Sequence, residues 1–150
     1  MGMKIDFLSI SNIEVKTKEA AILQLVDTLD KASYLGDKAL FEKNILERER
    51  ELSTYIGHGI GLPHAQSSGV ERPCVVIGKL SQPIRWTTDD EFVQIVFLIA
   101  VPENNSNNFH LKVLSKLARL LMHEDFRGKL SELDDTATVA LLNKSVKEDN

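Results

Sequence analysis

A single cysteine, Cys74, stands in the 150-residue chain. That scarcity excludes an internal disulfide and a cysteine-built zinc cluster, and it fits a reducing cytosol. Long apolar runs are missing too. The longest, Val93 to Val101, falls well short of the roughly 20 residues that a membrane-spanning helix needs. Lys4 and Asp6 interrupt any apolar leader at the start, and Asp6 stands where a myristoylation signal wants Ser or Thr. An excess of basic charge is absent: the net charge is −4 and the isoelectric point about 5.6, which argues against a nucleic-acid partner. No glycine-rich P-loop ending in Gly-Lys-Ser/Thr occurs, so P-loop chemistry on a nucleotide is excluded. These absences predict a cytoplasmic protein.

What is present suits a globular α/β protein. Hydrophobic residues make up 43% and charged residues 27%, ordinary values for such a chain, and its length predicts one domain over residues 1–150. Thr17 followed by Lys18 to Tyr34 reads as a capped helix with Ile22, Leu25, Val26 and Leu29 on one face and Gly36 as its stop. Asp37 caps a second helix. Its apolar stripe is Leu40, Phe41 and Ile45, and Glu42, Lys43, Glu47 and Glu49 are expected to face water. Ser53 to Ile56, Cys74 to Leu80 and Val93 to Val101 read as strands. The last is apolar on both faces, as a strand covered on each side should be. After Pro102 and a polar loop, a third helix is expected to bury Leu111, Leu114, Ala118 and Leu121, and a final helix spans about Thr136 to Lys144. Helices before, strands between and helices after predict an α/β sandwich, a mixed β-sheet flanked by helices on both sides.

The segment from Glu47 to Ala65, ERERELSTYIGHGIGLPHA, is the least ordinary part of the chain. Gly57, Gly59 and Gly61 permit sharp turns or close backbone approach. Pro63 fixes its own φ and pushes Leu62 into an extended conformation. Together they would hold His64 on a stiff backbone, which suits a nucleophile because positioning lowers a barrier. The same glycines would equally serve a plain hairpin, with His64 a surface residue.

The run GIGLPHA, preceded by STYIG and by ERE, resembles the active-site signature of the enzyme IIA domains of the fructose–mannitol type of the bacterial sugar phosphotransferase system. NFHLKVLSKLARLLMHEDFRGKL is similar to the second-histidine helix of that family and the segment after it. The resemblance implies a phosphoryl carrier without a cofactor. It would accept phosphate from phospho-HPr on His64 and pass it to a cysteine of an enzyme IIB, meeting the membrane permease only through its IIB and IIC parts. It also implies that Arg48 meets the phosphoryl group, that His110 is the second active-site histidine, and that Thr54 belongs to the site. His58 stands where the family more often shows Asn, and Gly61 where Ala is common. A nitrogen-related regulatory module is the alternative within the same family.

Physical chemistry agrees with these roles. An imidazole of ordinary basicity, about 6.5, is largely neutral at cytoplasmic pH and free to attack. The family analogy assigns the attack to Nε2, the other ring nitrogen donating to a carbonyl that fixes the tautomer. Arg48 offers two parallel donors to a phosphoryl dianion; alone, it reads as a solvated arginine in a charged helix face. His110, following Asn107 and Asn108, sits where helix amides favour an anion, though a half-buried capping histidine would fit the same place. His58, His64 and His110 could hold zinc, but no carboxylate is placed to orient them. His123 reads as solvated, Trp86 as packing and Cys74 as core.

Overall fold

The computed structural model describes residues 5–103 and 109–147. In chain order the elements are β1 (Asp6–Ile13), α1 (Lys18–Lys31), α2 (Lys38–Glu51), β2 (Tyr55–Gly57), β3 (Ile60–Gly61) and β4 (His64–Ser67). β5 (Cys74–Arg85), β6 (Phe92–Pro102), α3 (Phe109–Leu121), α4 (Glu124–Glu132) and α5 (Asp135–Lys147) follow.

Strands β1, β5, β6, β3 and β2 lie side by side in that order, and β4 also pairs with β6. The sheet is mixed: β5 and β6 are antiparallel, and β1 on β5 and both β3 and β4 on β6 are parallel. Side-chain alternation assigns each central strand to both layers. Cys74 and Val76 of β5 and Val96, Leu98 and Ala100 of β6 join the core beneath α1 and α2. Val75, Ile77, Phe97, Ile99 and Val101 join the core beneath the C-terminal helices. This is the expected sandwich, and it explains why Val93 to Val101 carries no polar face.

The helix expectations hold with revisions. The Thr17 hydroxyl accepts from the Ala20 amide at 3.1 Å and the Asp37 carboxylate from the Leu40 amide at 3.1 Å. The four apolar residues expected to face inward from α1 are buried. That helix ends at Lys31 rather than Tyr34. Ser33 adopts φ 68°, its amide donates to Asp30 O at 3.0 Å, and the Tyr34 amide donates to Leu29 O at 3.0 Å. This is a Schellman closure, and Ser33, not Gly36, ends the helix. On α2, Glu49 does not face water; it is only 4% exposed. On α3 the buried stripe is Val113, Leu117 and Leu121, whereas Leu111 is 49% exposed and Leu114 and Ala118 are half-buried. Two neighbouring stripes meet at Leu121, and the sheet takes the one that begins at Val113. β1 was not expected from the sequence. It is fastened at its polar positions, where Ser9 and Ser11 each donate to Asp135 Oδ1 at 2.6 Å.

Candidate active site

Three elements enclose a cleft of about 680 Å³. One wall is α2, contributing Asn44, Glu47, Arg48 and Glu51; β4 contributes His64 through Ser67; Leu111 and Leu114 come from α3. His64 and Arg48 therefore share one cavity. His64 is half-buried, Arg48 exposed, and the Arg48 guanidinium makes no hydrogen bond or ion pair among the described residues. His110 lies in the first turn of α3, one residue before Leu111, and its side chain lies outside the described residues.

The backbone that holds His64 follows from the Gly-Pro segment. β2 and β3 form a hairpin whose two turn residues, His58 and Gly59, have φ 56° and 75°. Positive φ at both central positions is the requirement of the tightest hairpin turn, and glycine meets it freely. β3 then pairs with β6 at Ile95 and Val96, and β4 continues in the same register from Ile99. The two are one edge run, interrupted at Leu62-Pro63. At the interruption the Leu62 amide turns back to donate to Thr54 O at 3.0 Å, while the Ile99 amide donates to Pro63 O at 3.0 Å. Pro63 has no amide to satisfy. The Leu62 carbonyl is left facing the imidazole, 2.8 Å from His64 Nδ1.

That contact decides the tautomer. A carbonyl only accepts, so Nδ1 carries the proton and the neutral ring presents its lone pair at Nε2. His64 opens strand β4, so its main chain is held by pairing with Ile99.

The remaining sequence candidates are distributed differently. Thr54 does not line the cleft; its hydroxyl donates to Glu49 Oε1 at 2.7 Å and its amide to Glu49 Oε2 at 3.0 Å. His58, at the hairpin tip, lines a different cavity with Lys79 and Arg127. Among the described residues no group of three or more His, Cys, Asp or Glu gathers to hold a metal ion. Gly61 is a site of close approach: a Cβ there would lie 2.9 Å from Cε2 and Cζ2 of the Trp86 ring, and Trp86 is buried packing, as expected. Cys74 is buried core, and burial pushes its thiol up to about 12.

The sequence reading missed Asn44 and Ser67. The Ser67 hydroxyl donates to Asn44 Oδ1 at 2.6 Å and accepts from the Gly69 amide at 3.0 Å, tying the floor of the cleft to its α2 wall. A small polar residue inside an otherwise apolar pattern was the available signal, but it names no partner. It also missed Glu49, whose carboxylate takes the Lys18 ammonium at 3.2 Å as well as the two Thr54 donors.

The sequence model of the family described as phosphoenolpyruvate-dependent sugar phosphotransferase system, EIIA 2, matches residues 3–145. A fructose-specific EIIA component of Haloferax volcanii is 40% identical over 124 residues, covering 82% of this chain and 80% of the relative. A fructose-specific EIIABC component of Bacillus subtilis is 38% identical over 138 residues; these are 91% of this chain and 22% of that relative's length. Among solved structures, the nitrogen regulatory protein IIA-Ntr of Neisseria meningitidis superimposes with a TM-score of 0.76 at 27% identity, covering 92% of this chain and 91% of that one. The match over nearly the whole chain, and a relative 40% identical along most of its own length, lead to one conclusion: the chain belongs to the EIIA type-2 family of the phosphoenolpyruvate-dependent sugar phosphotransferase system.

Proposed function

We propose that this protein carries a phosphoryl group on Nε2 of His64, accepting it from phospho-HPr and passing it to a cysteine of an enzyme IIB during uptake of a fructose-type sugar. The observation that carries the assignment to His64 is the 2.8 Å contact between Nδ1 and the Leu62 carbonyl. It keeps the proton off the attacking nitrogen throughout the cycle. As Nε2 attacks, the N–P bond of the donor histidine breaks and the Nε2–P bond forms. The Nδ1 proton stays in its hydrogen bond, so the positive charge that develops on the ring is shared with the carbonyl. Passing the group on reverses these events, with a thiolate sulfur as nucleophile.

A transferring phosphoryl group needs stabilisation of its equatorial oxygens more than covalent help. Arg48, which lines the same cleft with its guanidinium unpaired among the described residues, is the group suited to that work. His110, from the first turn of α3, is proposed to assist it. The fructose-type assignment rests on the two fructose-specific relatives at 38–40% identity. The likeness to a nitrogen regulatory protein supports a second reading, in which the same phosphohistidine controls binding to partner proteins.

The test is intact-mass analysis after incubation with phospho-HPr. The wild-type protein gains one acid-labile, base-stable phosphate on the peptide containing Pro63-His64, and His64→Ala gains none. His110→Ala still gains phosphate but passes it to a IIB domain more slowly. A label that persists in His64→Ala, on His58 or His110, overturns the assignment. Transfer to a fructose-type IIB domain favours the transport reading; phosphorylation without transfer to any IIB domain favours the regulatory one.

A further inference from the structure

The contacts behind His64 form a continuous chain that begins at a buried carboxylate. Glu49, in the last turn of α2, is only 4% exposed. Its Oε2 accepts from the Thr54 amide at 3.0 Å and from Lys18 Nζ at 3.2 Å, and its Oε1 accepts from the Thr54 hydroxyl at 2.7 Å. Thr54 O accepts from the Leu62 amide at 3.0 Å. The Leu62 carbonyl, on the far side of the same residue, accepts from His64 Nδ1 at 2.8 Å. Thr54 lies before β2, and Leu62 sits in the interruption between β3 and β4, so neither belongs to a strand.

From this chain we propose that Glu49 is a positioning residue for His64, fixing the imidazole's tautomer through Thr54 and Leu62. The proposal rests on the reading of His64 as the phosphoryl acceptor. A carboxylate is the one side chain that accepts at two oxygens at once and donates at neither. It clamps the Thr54 main chain and side chain together and so sets the direction in which Thr54 O meets the Leu62 amide. That in turn sets the peptide whose carbonyl meets the ring. Without the clamp the Leu62 carbonyl can turn aside, and the imidazole is free to place its proton on Nε2, where it blocks attack. A conformer fraction enters a rate directly: if only a fraction of the molecules holds the competent tautomer, the rate falls by that fraction. Glu49 also follows Arg48 in the sequence, so the same clamp steadies the turn that presents the guanidinium.

The experiment reads the tautomer and the rate together. Wild-type protein, Glu49→Gln and Thr54→Val are labelled with 15N, and the His64 ring nitrogens are recorded at about pH 8, where an ordinary imidazole is neutral. Phosphoryl acceptance from phospho-HPr is timed in parallel. In the wild type Nδ1 is expected to be protonated and Nε2 unprotonated. Glu49→Gln, which puts an amide NH2 against the Thr54 or Lys18 donors, should lower the Nδ1–H population to between about a third and a tenth and slow acceptance by the same factor. Thr54→Val, which removes only the hydroxyl donor, should fall between. Parallel loss of tautomer and rate supports the proposal. A folded Glu49→Gln or Thr54→Val that keeps His64 fully Nδ1–H overturns it, even if transfer is slow. Should Glu49→Gln fail to fold, Thr54→Val decides alone, since its main-chain bond to Glu49 remains. If wild-type His64 takes no phosphate, the acceptor reading fails while the tautomer measurement still judges the clamp.

Discussion

At the scale of single residues, the proposed function would divide the work between a ring held by the main chain and a guanidinium unpaired among the described residues. As the proposed acceptor, His64 would need its proton kept off Nε2, and the Leu62 carbonyl, 2.8 Å from Nδ1, is placed to do that. In its proposed role Arg48 would need both donors available, and it has no partner among the described residues. Arg48→Lys keeps the charge but loses the planar two-donor fork. Acceptance of phosphate from HPr should therefore slow by roughly ten- to a hundredfold with the thermal midpoint unchanged. Arg50 does not line the cleft, so Arg50→Ala should alter the rate less than Arg48→Ala does; the reverse order in stopped-flow measurements would show that the wrong arginine has been assigned. Chelation by EDTA should leave transfer intact, because the positive charge comes from a side chain, and transfer restored by added zinc or magnesium would contradict that.

At the scale of elements, the hairpin and its Trp86 neighbour decide what position 61 tolerates. The ring of Trp86, 2% exposed, occupies the space where a Cβ on Gly61 would sit, at 2.9 Å. Overpacking of this kind typically costs about 1–3 kcal/mol. Gly61→Ala should thus lower stability by that amount in urea titration, and Trp86→Leu should recover part of the loss when combined with it. Simple additivity of the two would mean that they do not meet. In this chain, the close approach of the Trp86 ring leaves no room for a Cβ at position 61. The segment around it combines two kinds of demand: positive φ at His58 and Gly59 for the turn, and bare space at Gly61 for the ring.

At the scale of the whole molecule, two cores on opposite faces of one sheet set the stability, and acid–base groups at the edge of one core set its pH limit. Burial, with the Asp6 carboxylate nearby, pushes the Cys74 thiol from 9.0 to about 12. Burial, and then the hydrogen bond to Asp6, pushes Tyr34 from 10.0 to about 12. Both folded values exceed the unfolded ones, so the folded state holds protons that the unfolded chain has released. Their contribution is complete below pH 9 and is lost as pH rises toward about 12. The urea midpoint should fall across that interval. Tyr34→Phe should make the fall shallower without moving its onset, which belongs to Cys74; an unchanged slope would show that Tyr34 is not a titrating contributor. None of the described helices is long and apolar enough to cross a membrane.

The sequence by itself determined the local grammar. Periodicity and capping chemistry are written in neighbouring residues, so α1, α2, both central strands and the sandwich of layers could be read from spacing. The Gly-Pro segment also announced a stiffened histidine, because glycine and proline restrict or release φ wherever they stand. Tertiary structure decided everything that depends on a distant partner. Glu49 has the composition of a solvated helix residue and becomes a buried clamp only because Lys18 and Thr54 arrive from elsewhere in the chain. Ser33 ended α1 because Tyr34 packs back in the core with Leu29, a choice Gly36 could not reveal. The buried stripe of α3 was set by the sheet it covers. The tautomer of His64 was settled by a carbonyl only two residues away, which meets the ring where the edge run is interrupted at Leu62-Pro63. Short-range preferences follow from each residue's own covalent geometry, whereas burial, pairing and proton placement depend on what the folded chain brings alongside.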